Sequence, residues 1–212
     1  MPCLDEAAGI VSALTVLQPL RDAGHEVIVV DGGSGDGTAE LAAGLCDRVV
    51  ASARGRAIQM NAGARAARGD VLLFLHADTR VPPDFVIPES SLWGRFDVRI
   101  EGRHPLLKVV AWSMNLRSRL TGIATGDQAI FVRRDAFPGF PEIALMEDVE
   151  FCRKMKSLAP PTCLREKVAT SGRRWEARGV LRTILLMWRL RLMYFFGAHP
   201  ERLSRLYDHR IR

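Results

Sequence analysis

The chain has 212 residues, 48% of them hydrophobic and 25% charged, with a formal net charge of +6 at pH 7. This composition excludes a disordered chain, and the length suits one domain with a substantial core. The four cysteines, Cys3, Cys46, Cys152 and Cys163, are far apart and make no paired metal-ligand spacing, so they read as reduced thiols in a cytosolic protein.

The opening Met1-Pro2-Cys3-Leu4-Asp5-Glu6 has no charged region leading into an apolar one, so no secretion signal is read there. Glu6 to Ala23 carries Ile10, Leu14, Leu17 and Leu20 at helical spacing, and Gly24 stops it. His25 to Asp31 reads as a buried strand ending in an acid. Gly32 to Thr38 is a glycine-rich turn, followed by a helix to about Cys46, a short strand over Arg48 to Ala51, and a helix from Gly55 to Ala67. A helix starting at Glu6 needs a strand before it, and only Met1 to Leu4 are there to supply one. Either that strand is a stub or residues that would complete it precede Met1.

Val71-Leu72-Leu73-Phe74-Leu75 then runs apolar without a break and stops at His76-Ala77-Asp78. A short apolar run without alternation marks a strand buried on both faces, as in parallel sheets. In open α/β sheets, ligands bind just outside the carboxyl ends of such strands. Asp78 is a hard oxygen ligand there, suited to Mg²⁺ or Mn²⁺ shared with substrate phosphates. The alternation of helix and strand predicts an α/β fold, a single mostly parallel central sheet flanked by helices. After Pro82-Pro83 the pattern changes. Strands are expected over Trp93 to Ile100, Ala129 to Val132 and Cys163 to Thr170. Helices are expected over Pro105 to Leu120, Met146 to Lys156 and Ala177 to Phe196. Glu147, Asp148 and Glu150 fall in a first helical turn, where acids favour the helix dipole.

Asp31-Gly32-Gly33-Ser34-Gly35-Asp36-Gly37 places an acid and alternating glycines before a helix, as a nucleotide site requires. The same spacing looks like the first motif of methyltransferases that use S-adenosylmethionine. Such an enzyme would place a second acid after the next strand, where this chain has Ser52 and Ala53. A non-catalytic nucleotide-binding or scaffold protein is the third reading.

Taken together, Pro2 to Glu6, Val29 to Ser34 with Asp36-Gly37-Thr38, Gly55 to Gly63, and His76-Ala77-Asp78 resemble family 2 glycosyltransferases. Gly126-Asp127-Gln128 and Glu147-Asp148 match that family's acceptor-side segments. Thr170 to Trp175 with the apolar helix after it resembles a small bacterial subgroup. Asp5 stands where the family usually has Asn, and His76 fills the first position of its D-x-D motif.

The resemblance implies a GT-A (nucleotide-diphospho-sugar transferase) fold and an inverting, metal-assisted hexosyl transfer from a nucleotide-diphosphate sugar. It implies donor binding by Pro2, Leu4, Asp5, Glu6, Asp31, Gly33, Arg56, Asn61, His76, Ala77 and Asp78. Within that set, Asp31 would meet the base, Asp5 and Glu6 the ribose, and Arg56 the phosphates. Asp78 would hold Mg²⁺ or Mn²⁺, and Gly126, Asp127 and Gln128 the acceptor. Asp148 would be the general base, with Glu147 the other candidate. The implied organisation is a catalytic domain over residues 1–175, donor half to about 81 and acceptor half from about 82, and a basic amphipathic helical extension over 176–212. No nucleic-acid partner is implied; the glycan, lipid or small-molecule acceptor and the oligomeric state stay open.

From Arg165 to Arg212 basic residues outnumber acidic ones twelve to four, so the basic excess lies in the tail. Arg182, Arg189 and Arg191 within the apolar Val180 to Phe196 would cost about 2.5–3.5 kcal/mol each at a bilayer centre, which argues against a membrane span. A helix lying in the interface, or packed on the domain or on a second subunit, is the expectation. The protein is expected to be cytoplasmic, with the tail a candidate for peripheral attachment to the inner face of the cell membrane.

Overall fold

The computed structural model describes residues 1–209; Arg210, Ile211 and Arg212, which end the basic tail, lie outside the described residues. The elements in order are β1 Pro2–Cys3, α1 Ala7–Thr15, α2 Gln18–Asp22, β2 Ile28–Asp31, α3 Thr38–Ala43, β3 Arg48–Ala51, α4 Arg56–Ala66, β4 Val71–Leu73 and β5 Thr79–Arg80. There follow β6 Trp93–Glu101, α5 Leu106–Thr121, β7 Phe131–Arg133, α6 Glu147–Lys156, β8 Thr162–Ser171, α7 Arg173–Arg178, α8 Val180–Phe195 and α9 Pro200–His209.

The α/β architecture is as expected, but the strands form two sheets rather than one. β1, β2 and β3 make a parallel sheet with β2 in the middle, and every residue of β2 is buried. The second sheet runs β4-β7-β6-β8-β5, and its one parallel pairing is β6 with β8. β1 is only two residues long, and its Cys3 carbonyl accepts from the Gly32 amide and from Gln59 Nε2. β4 pairs antiparallel with β7. Gly94 of β6 is held between two partner strands, where a Cβ would overlap the Thr162 carbonyl and the Phe131 ring.

The expected helix from Glu6 to Ala23 is two helices, because Pro19 has no amide to continue the ladder and enters at the start of α2. The expected helix from Ala177 begins at Val180 after Gly179, whose φ of 82° breaks it from α7. The domain boundary placed after residue 175 therefore falls inside α7, and Trp175 packs against the main core. That core lies between α1, α5 and the strands, and a second cluster stacks Phe140 on Phe151 at 4.4 Å.

α9 lies within the helical extension expected over 176–212, beyond the one helix delimited there. With α8 it forms a hairpin that turns at Gly197 (φ 85°), and Leu186, Leu190 and Leu203 close over Met146 at the start of α6. The Tyr194 hydroxyl donates to Glu150 Oε1 at 2.5 Å and fastens α8 to α6. The carboxyl-terminal helices thus pack on the segment that carries Glu147 and Asp148.

Candidate active site

On the donor side, β2 delivers Asp31 to the glycine turn, and the turn closes on its carboxylate. Oδ2 accepts from the amides of Gly33 and Ser34 at 2.9 and 3.0 Å, and Oδ1 from the Ser34 hydroxyl at 2.5 Å. Burial opposes ionisation here, but these donors outweigh it and hold Asp31 below the usual carboxylate range. Gly33 has φ 86°, a conformation that favours glycine. Asp5 is tied to the same loop: its amide donates to Ser34 Oγ and its Oδ1 accepts from the Gly35 amide.

At the end of β4 the polar groups meet groups from the second half of the chain. His76 Nδ1 lies 3.5 Å from Asp127 Oδ1, and a Cβ at Gly126 would overlap the His76 imidazole. Asp127 is held low against the cost of burial by His76, with Arg56 and Arg174 contributing. Asp78 accepts a long bond from the Thr79 hydroxyl at 3.4 Å and is half-buried near Glu6. Burial, and then Asp78, push the Glu6 carboxyl up, while Arg174 pulls it down.

A second group of acids is built around α6. Glu147 is 2% exposed, and its Oε1 sits 3.2 Å from Arg56 Nη1. Asp148 accepts from the Gly126 amide through Oδ2 at 3.3 Å and from the Val149 amide through Oδ1 at 2.8 Å. Burial, and then the adjacent Glu147 carboxylate, push Asp148 up to about 6, against the pull of Arg56 and the two amides. Each oxygen has one donor, so each keeps acceptor capacity. Among the described residues, three other than glycine have positive φ: Asp5 (52°), Ala129 (46°) and Met146 (72°). They sit beside the Glu6, Gly126–Gln128 and Glu147–Asp148 segments, the pattern of strain expected near a working site.

Two assigned residues serve other purposes. Asn61 is buried and exchanges two hydrogen bonds with the Phe140 backbone, at 2.9 and 2.8 Å, so it anchors α4 and does not face a donor. Gln128 is 0% exposed and its Nε2 donates to Ser118 Oγ, so it locks the loop to α5 instead of meeting an acceptor. Pro2 pairs with Val30 and Ala77 packs on the core, so they and the half-buried Leu4 supply backbone position. Arg56 is turned to the acceptor-side acids. Four participants had no signal in the sequence. Arg117 of α5 has Nε and Nη2 buried without a partner among the described residues, in the field of Asp148 and Asp127. His199, Pro200 and Glu201, at and before the start of α9, line a cleft of about 520 Å³ shared with Arg56 and Glu147.

A divalent ion fits this site only on certain terms. Among the described residues no three His, Cys, Asp or Glu side chains converge on one point. Asp78 nevertheless keeps open lone pairs beside Glu6 at a strand end. That set suits an ion which takes one or two carboxylates and completes its shell from phosphates and water.

Residues 1–89 match the family model described as glycosyl transferase family 2, a span that contains the glycine turn, Arg56 and Asp78. The match covers 89 of the 212 residues, so the likeness to that family is one of the first part of the chain. Comparison with curated proteins returns no match. Among solved structures, a mycobacterial protein superposes with a TM-score of 0.57 at 19% identity, covering 80% of this chain and 63% of its own. Glucosyl-3-phosphoglycerate synthase from Mycobacterium tuberculosis, in complex with Mn²⁺ and UDP-glucose, gives 0.58 at 18% identity, covering 80% and 67%. Mannosyl-3-phosphoglycerate synthase from Rubrobacter xylanophilus gives 0.56 at 18%, covering 93% and 74%. This chain thus spans about two thirds of the length of the first two. The likeness gives it the GT-A fold, and the glycine turn lies within the stretch that matches the family model.

Proposed function

We propose that this transferase moves a sugar from a nucleotide-diphosphate sugar to an acceptor hydroxyl with inversion, using Asp148 as general base. The observation that carries this reading is the placement of Asp148. It is half-buried, raised toward neutrality, and fixed by the Gly126 amide next to the His76–Asp127 pair that reaches back to the donor strand. A base with a pKa near the working pH is the efficient kind. As the acceptor oxygen attacks the sugar carbon, its proton passes to Asp148 while the bond from that carbon to the diphosphate oxygen breaks on the opposite face. Glu147 is committed to Arg56 and supports the base through that ion pair.

The donor assignment rests on the family match over residues 1–89 and on a structural relative crystallised with Mn²⁺ and UDP-glucose. Asp78, with Glu6 nearby, would hold Mg²⁺ or Mn²⁺ together with the diphosphate. When bound, the ion offsets the charge that builds on the leaving diphosphate. A thermal-shift screen of nucleoside diphosphates with and without Mn²⁺ tests the reading. At 100 times its dissociation constant, a ligand of the folded state stabilises by about 2.7 kcal/mol. Stabilisation by UDP or GDP that needs Mn²⁺ and is lost in Asp78→Ala supports the assignment. Stabilisation by S-adenosylmethionine alone refutes it.

A further inference from the structure

Two neighbouring helices are apolar on both of their opposite faces. α5 buries Leu107, Val110, Ala111 and Met114 in the main core, and α8 enters the same core through Val180 and Ile184. The outer face of α5 carries Val109, Trp112, Leu116 and Leu120 at helical spacing, all exposed. The outer face of α8 carries Leu181, Leu185, Trp188, Leu192 and Phe195, with Phe196 just beyond the helix, all exposed too. Both stripes point away from one shared core. Scattered exposed apolar residues are ordinary, but two adjoining stripes holding two tryptophans and two phenylalanines mark an interaction surface.

The charge on these helices selects the partner. Neither α5 nor α8 contains an aspartate or glutamate. Lys108, Arg182 and Arg189 flank the stripes, are exposed, and form no ion pair among the described residues. A second copy docking through this face in a two-fold pair would bring the same cations together with no carboxylate to meet them. Apolar and aromatic residues flanked by cations instead match the interface of an anionic bilayer. No helix among the described residues is long and apolar enough to cross a membrane, so the fit is to its surface.

We infer that α5 and α8 together form a docking face for anionic membranes, with both stripes entering the interface and Lys108, Arg182 and Arg189 at headgroup level. The inference is independent of the transferase reading, and its failure would leave that reading intact.

The test is flotation of the full chain with phosphatidylcholine vesicles, with and without phosphatidylglycerol, at low and high salt. Recovery is expected with the anionic vesicles at low salt, with a blue shift in tryptophan emission. Trp112 and Trp188, 64% and 73% exposed, report on the two stripes separately. Trp112→Phe and Trp188→Phe should each remove part of the shift. Leu185→Ser with Leu192→Ser should abolish flotation, and Arg182→Gln with Arg189→Gln should weaken partitioning about tenfold or more. All of these positions are exposed, so circular dichroism and thermal melting should match the parent. Equal recovery with neutral and anionic vesicles overturns the proposal. A shift confined to Trp188 removes α5 from the face. A dimer in light scattering that the Leu185→Ser, Leu192→Ser variant dissolves, with no vesicle binding, assigns the face to self-contact instead.

Discussion

The glycine turn and the start of α6 both present acidic side chains to the site, and they treat them in opposite ways. Around Asp31 the Gly33 and Ser34 amides and the Ser34 hydroxyl outweigh burial and the Asp36 carboxylate, and the carboxyl is held below its usual range. Around Asp148 burial, and then the adjacent Glu147 carboxylate, drive the carboxyl up to about 6. Divergent environments for like residues separate structural from chemical work. Asp31 holds backbone in place. Asp148, the base we propose, is held with its carboxyl raised toward neutrality.

The sharpest way to break this contrast is Asp148→Asn, which keeps the size and loses the basicity. Turnover is expected to fall by ~10²-fold or more, with nucleotide-diphosphate affinity little changed. In the parent, kcat should fall as pH drops through about 6, because the base must be ionised; the variant should lack that limb. Stability should move the other way. A carboxyl raised in the folded state destabilises once ionised, so at pH 7.5 the variant should melt above the parent, and the gap should close as pH falls below about 6. Parallel loss of donor binding would place Asp148 in the donor site instead.

Asp31→Ala probes the opposite case. Loss of three accepted bonds should cost about 2–3 kcal/mol in urea unfolding at pH 7. Because its carboxyl is depressed in the folded state, that contribution is full above the ordinary carboxylate range and fades as pH falls through the folded value. An unchanged midpoint would show that the turn closes without it. Glu147→Gln should reduce turnover less than Asp148→Asn, since it weakens a support and leaves the base. The smallest effect is expected from Ala129→Gly. Relief of an L-residue at φ 46° is worth about 1–2 kcal/mol, and the lost methyl about 0.8, so stability should rise by under about 1 kcal/mol.

What the sequence made legible follows the same divide. Asp31, Gly33 and Asp78 stand out because strand, turn and acid are contiguous, so periodicity and glycine spacing find them. Asn61 and Gln128 sit inside recognisable motifs, yet their side chains are spent on Phe140, far along the chain, and on Ser118 in the preceding helix, contacts that only the packing reveals. Arg117 and His199 carry no local pattern. They join the site only through packing of α5 and of the hairpin formed by α8 and α9. The two-sheet arrangement was hidden for a similar reason: β4 pairs with Phe131 to Arg133 of β7, a partner distant in the chain that periodicity does not reveal.

The hairpin over Met146 also sets an order of assembly. Met146 holds its φ of 72° under Leu186, Leu190 and Leu203, and Leu203 lies in α9, which follows the rest of the site in the chain. A nascent chain that has reached Phe195 already contains the glycine turn, Asp78, Gly126 and Asp148, but not the leucine that seals the strained residue ahead of the base. The carboxylate proposed as base is therefore among the last parts of the site that a growing chain can set in place, after the glycine turn is already whole.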